Sequence, residues 1–295
     1  MRMLLGALSI LSILLLDRPA LAATTSCQSS ISSCGCTITS AGLYQVISNP
    51  TATVAGADCI DIKAPNVKLW VGGHSITGLG GGVGIHILRS ASGAFVEGLD
   101  LSSGSFAIVG TFSIGVQDDA SGAIIAHVNA IGNSSAGFLL NRVSGSAVSD
   151  FSSNNNAYGV ELLGSALSSI QRSTTDSNSI YGIWLLSSSR NIVNFFDAQD
   201  NAVAGVYVGC QPSAGPIGGT CKPSNYNHIY DGPLVGAFSA SQNYGVAIDA
   251  RNAGNVVSGT AGSGDSSADL EDNNPGCGSD LWFNNSGSAN TSCIH

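Results

Sequence analysis

The sequence predicts an all-β fold: a right-handed parallel β-helix of about 8 to 10 coils with disulfide-bearing end segments. Two observations predict it. A Gly-apolar-x-apolar signature recurs at Gly115, Gly137, Gly159, Gly182 and Gly205, spaced 22, 22, 23 and 23 residues apart. Each unit also repeats two further short apolar segments and an asparagine, which leaves no room for a helix and excludes helical or leucine-rich repeats of similar period.

The elements follow in order within each unit. The first strand is Gly137-Phe-Leu-Leu, Gly159-Val-Glu-Leu, Gly182-Ile-Trp-Leu or Gly205-Val-Tyr-Val; Gly115-Val-Gln-Asp places Asp118 in the second apolar slot. Earlier and later copies are Cys59-Ile-Asp-Ile, Gly84-Ile-His-Ile and Gly245-Val-Ala-Ile. A second strand carries Ile125, Val148, Ile170 and Val193; a third begins at Val128, Phe151, Ser173 and Phe196. Asn133, Asn156, Asn178 and Asn201 close the units. Stacked coils lie about 4.8 Å apart, so aligned asparagines are expected to form an amide ladder at a sharp turn.

Residues 1–22 read as a signal peptide: Arg2, an apolar run from Leu4 to Leu16, and Ala20-Leu21-Ala22 before the cleavage point. The run is too short to span a bilayer, and no later segment is apolar enough. The chain is therefore expected to be secreted or periplasmic. Residues 23–56 are expected as a Cys-rich N-terminal cap, 57–268 as the β-helix and 269–295 as a C-terminal disulfide cap. Eight cysteines in an exported chain point to disulfides. Cys210–Cys221 and Cys277–Cys293 are the expected local pairs; Cys27, Cys34, Cys36 and Cys59 leave three connectivities open.

The formal net charge is −9. There is no basic stripe, so nucleic acid is excluded as a partner. An acidic surface also repels polyanionic glycans unless calcium bridges the two, and calcium is the one cofactor the composition leaves room for. No metal-ligand cluster is legible.

With the repeat in place, the chain resembles the pectin-lyase-like superfamily of right-handed β-helices over about residues 55 to 285. The opening coil from Val67 through His74 to Gly78 and the tail from Asp269 through Cys277 to Cys293 carry the likeness. The resemblance implies contact with extracellular polysaccharide or surface glycan, and the chain is expected to be a monomer. It leaves three classes open: a glycan-binding module, a lyase, epimerase or hydrolase, and a structural or protein-binding surface module. Ala57 to Lys63 is similar to the Asp-Asp-Cys-x-x-Ile-Lys stretch of polygalacturonases, whose clustered aspartates act as acid and base. Here Ala57 replaces the first aspartate and the later motifs are missing, so the preferred reading is a disulfide-anchored first coil.

Three constellations come from the alignment. His127, Asp150 and Arg172 share one turn position in successive coils and form a candidate catalytic triplet, with a solvated polar stack as the alternative. Glu161, Trp184 and Tyr207 fall two residues after each Gly, in a column with His86, Gln117 and Leu139. They are expected outside, where two aromatic faces suit a sugar ring, with an aromatic ladder covered by the Cys210–Cys221 loop as the alternative. Asp118 and Asp119 can bind calcium or share a proton, although consecutive strand residues face opposite ways; a solvated strand end is the plainer reading. The sequons at Asn133, Asn284 and Asn290 are read as chance occurrences.

Overall fold

The computed structural model describes residues 25–209, 222–232, 234–236 and 242–294. The expected signal segment and the Cys210–Cys221 pair lie outside them. Two parallel stacks build the molecule. Sheet 1 has 11 strands, running from Thr25–Ser26 to Ala268–Asp272. The other sheet has 16 strands, and its main path runs from Ser30–Ile31 to Leu281–Phe283. A third face joins that sheet, with Ser75–Thr77, Ala107–Gly110 and Val128–Ile131 paired in parallel. The described residues contain one short 3-10 turn, Pro275–Cys277, and no α-helix.

The register follows the glycine signature. Val116, Phe138, Val160, Ile183, Val206 and Val246 pair in succession, each against the next coil. All face inward and are buried, as are Leu140, Leu162, Leu185 and Val208 two residues on. Gly159 and Gly182 open this strand because the backbone of the next coil lies where a Cβ would go: 2.5 Å from Gly182 O and from Gly205 O respectively.

Three polar ladders run inside the turns. In the expected one, the backbone N–H groups of Asn133, Asn156 and Asn178 donate to Oδ1 of Asn156, Asn178 and Asn201 at 2.8, 3.0 and 3.0 Å. It continues through Gln242 to Asp265. A second passes from Asn191 to Asn227, Asn255 and Asp280. A third passes from Ser165 to Ser188, Ser224 and Asn252. Every rung satisfies a buried N–H that would otherwise cost free energy.

Both ends continue the strand pairing of the coils. Strands within residues 25–56 and 269–294 pair in register with the coils next to them. Disulfides join Cys27 to Cys36, Cys34 to Cys59 and Cys277 to Cys293. The first two resolve the open connectivity, and the third is the expected local pair.

Candidate functional site

The outward-facing positions of sheet 1 form one straight column. Pairing aligns Asp61, His86, Gln117, Leu139, Glu161, Trp184, Tyr207, Ala247 and Glu271. The column is polar at one end and aromatic in the middle.

At the polar end His86 is held at both ring nitrogens. Nδ1 lies 3.1 Å from Asp58 Oδ2, and Nε2 lies 2.8 Å from Asp119 Oδ2. Asp119 is fixed in turn by amide donors, Gln117 Nε2 at 2.9 Å and Asn141 Nδ2 at 2.7 Å. Val83 N–H donates to Asp58 at 2.7 Å. Burial alone would lower the His86 pKa, but the hydrogen bonds to Asp119 and Asp58 outweigh it and lift it to about 9. The imidazole is therefore a cation at neutral pH. Burial, with the charge of Asp58, raises Asp61 to about 6, and its Oδ1 is buried without a hydrogen-bond partner. Burial also acts to raise Asp119, but hydrogen bonds from His86 and Asn141 hold it below the usual carboxylate range.

A charged donor and an acceptor poised near neutrality thus share one partly exposed patch built by four successive coils. This can bind hydroxyl-rich ligands and move a proton. Asp58, Asp61 and His86 each bring a ligand atom within 4.8 Å of the others. They could hold a cation if it displaced the His86 proton.

The sequence pattern singles out His86, Gln117 and Asp119, holds Asp58 and Asp61 within the Ala57–Lys63 stretch, gives no sign of Asn141, and brings none of them together. The 31-residue interval between Gly84 and Gly115 hid the neighbouring coils. The signal was available in the column itself, where Asp61 and His86 occupy the same slot.

The aromatic middle corrects an expectation. Trp184, Tyr207 and Glu161 do point away from the coil interior, but they are not exposed: Trp184 is 3 % accessible, Tyr207 9 % and Glu161 7 %. Trp184 Nε1–H donates to Gly209 O at 2.9 Å. Tyr181 stacks on Tyr207 at 4.7 Å between ring centroids, and Tyr158 lies 5.0 Å from Trp184. These rings form a second apolar cluster outside the coil with Ala204 and Ala247. Ligand stacking on Trp184 is closed off. Burial pushes Glu161 up to about 7.

Asp118 faces the core, where it is fully buried, and burial raises it to about 6. Its Oδ1 accepts from Ala120 N–H at 2.9 Å, while Oδ2 has no partner. It does not share a face with Asp119, and it is not the solvated strand end that was expected.

His127, Asp150 and Arg172 do stack at one corner, each with positive φ: 57°, 55° and 48°. They do not form a triplet. Arg172 makes a two-pronged ion pair with Asp150 at 2.5 and 2.7 Å, and His127 turns to Glu97 at 2.8 Å. The hydrogen bond from Arg172 keeps Asp150 ionised and well below the ordinary range, which makes it a poor base.

No protein-family model matches the chain, and no curated protein does either. Among solved structures, the Dettilon tailspike protein is similar with a TM-score of 0.63 at 13% identity, over 84% of this chain and 51% of its own. A mutant of the periplasmic alginate epimerase AlgG is similar with a TM-score of 0.50 at 10% identity, over 77% and 59%. The chain spans between half and three-fifths of their length. What is shared is the fold, the right-handed parallel β-helix.

Proposed function

We propose that the protein is an exported polysaccharide-binding β-helix whose ligand lies across the polar end of the sheet 1 outer face. The observation that carries this is the convergence of Asp58, Asp61, His86, Gln117, Asp119 and Asn141 from four coils onto one partly exposed patch. Such a patch offers closely spaced acceptors and charged and amide donors, the complement of a row of sugar hydroxyls. The overall charge of −9 argues against nucleic acid. The disulfides favour an oxidising compartment. The fold shared with an alginate epimerase supports a glycan over other ligands.

The same cluster favours a second reading, in which the bound sugar is also turned over. Asp61, held near neutrality with a free oxygen, would take a proton, and the imidazolium of His86 would give one. A panel of polysaccharides, titrated against wild type, His86→Ala and Asp61→Asn, tests both readings. Binding lost in His86→Ala is expected; unchanged binding refutes the site. Reducing ends, unsaturated uronates or altered uronate composition, absent with Asp61→Asn, would establish turnover. Binding without product would leave a binding module.

A further inference from the structure

The corner column that carries Arg172 opens into a groove separate from the sheet 1 patch. It is an open groove of about 580 Å³, lined by Arg172, Ser173, Phe195, Asp197, Asp231 and Gly259, among others. That is the size of an ordinary small-ligand site.

One feature of the groove is unexplained by folding. Phe195 is 54 % exposed and has a φ of 51°. A bulky side chain is disfavoured in this left-handed region. Later coils place Gly259 and Asn284 at the same corner, directly after the paired Ser258 and Phe283. An exposed phenyl ring contributes nothing to the core there, so the strain is retained without a packing return. Ser173 pairs in register with the core residues Phe151 and Phe196, so its buried hydroxyl faces the interior and only its backbone borders the groove.

The charge of the wall selects the occupant. The Arg172 guanidinium is neutralised by its two bonds to Asp150. Asp197 and Asp231 then leave the groove negative, which disfavours uronates, phosphates and sulfates. A flat apolar ring beside carboxylate acceptors fits a neutral sugar, whose C–H face covers an aromatic ring while its hydroxyls donate.

We propose that this groove is a second glycan-contact site, holding a neutral sugar with its C–H face on Phe195 and its hydroxyls on Asp197 and Asp231. The inference rests on the reading that the protein binds polysaccharide, but it uses none of the sheet 1 residues. The test is calorimetric titration with neutral oligosaccharides (cellohexaose, maltohexaose, mannohexaose) and with acidic ones (hexamannuronate, trigalacturonate). The proteins compared are wild type, Phe195→Asn and His86→Ala. Asparagine tolerates the corner backbone, so Phe195→Asn should melt no lower than wild type. At least one neutral oligosaccharide should bind, at least tenfold more weakly to Phe195→Asn, with the Phe195-dependent affinity kept in His86→Ala. Affinities in Phe195→Asn within twofold of wild type overturn this groove alone, and loss only in His86→Ala does the same. Preference of the Phe195-dependent site for the acidic probes also overturns it. If wild type binds neither set, the groove and the glycan reading fall together.

Discussion

Asp119 reaches across one coil to His86, and the 2.8 Å contact leaves the imidazole with a carboxylate on each nitrogen. Only the doubly protonated ring satisfies both partners. In a proton NMR titration His86 should therefore change state near pH 9. Replacing Asp119 by Asn removes one anion, so the midpoint should drop. A midpoint near the unperturbed value of about 6.5 in wild type would show that the bridge does not form.

Stability should be greatest in mild acid. Burial raises Asp61, Asp118, Asp176 and Asp280 to about 6, and Asp265 and Glu161 to about 7. A raised carboxylate means that the folded state holds more protons than the unfolded one, so stability falls as pH rises from about 4 through 6 to 7. His86 acts in the same direction: its contribution is full below about 6.5 and is lost through 9. Asp119, Asp150 and Asp269, whose folded values are depressed, oppose this only below about pH 4. The melting temperature should be higher at pH 5 than at pH 8, and the reverse order would contradict these burials.

Trp184→Ala should destabilise the protein by about 3 to 5 kcal/mol in denaturant unfolding, the usual cost of deleting a buried large aromatic side chain. A loss below about 1 kcal/mol would mean that the ring is solvated and free to stack on a ligand.

Asn178 serves four partners. It accepts from the Asn156 backbone and amide and donates to Ser153 O and Asn201 Oδ1. Asn178→Ala strands these groups in the interior and should cost roughly 2 to 4 kcal/mol, given about 1 to 3 kcal/mol per unsatisfied buried group. Equilibrium unfolding checks it. An exposed control such as Ser179→Ala should change stability by less than about 0.5 kcal/mol.

Opening the Cys277–Cys293 bridge, 16 residues apart, by a double serine substitution should lower stability by about 3 kcal/mol on loop entropy. It should also loosen the final strand pairing of Leu281–Phe283, visible as faster amide exchange there than in Val206.

The coil register was legible because period-two alternation and a fixed unit length are properties of the chain itself. Ile183 and Leu185 face inward and Trp184 outward, as the alternation requires. Whether an outward position meets water depends on what packs over it, and no local pattern carries that information; hence the error at Trp184. The Asn191 and Ser165 ladders escaped notice because an insertion stretches their spacing to 36 residues between Asn191 and Asn227 and between Ser188 and Ser224. The His86 cluster escaped for a related reason. Its members come from coils of unequal length, and only three-dimensional stacking shows that Asp58, His86 and Asp119 are neighbours.

The two asparagine ladders have a direction: each acceptor sits on the coil that follows its donor, and the last acceptors are Asp265 and Asp280. A carboxyl oxygen accepts the last donor without bringing the amide N–H groups that would call for a further coil, so it can finish a row that an asparagine would leave open. Between start and finish the rungs at Asn156 and Asn178 are interchangeable modules. Duplication or loss of one 22- or 23-residue unit leaves no bond unmatched. The length of the surface presented to a polymer can thus be changed by copying a segment, with the core chemistry carried along intact.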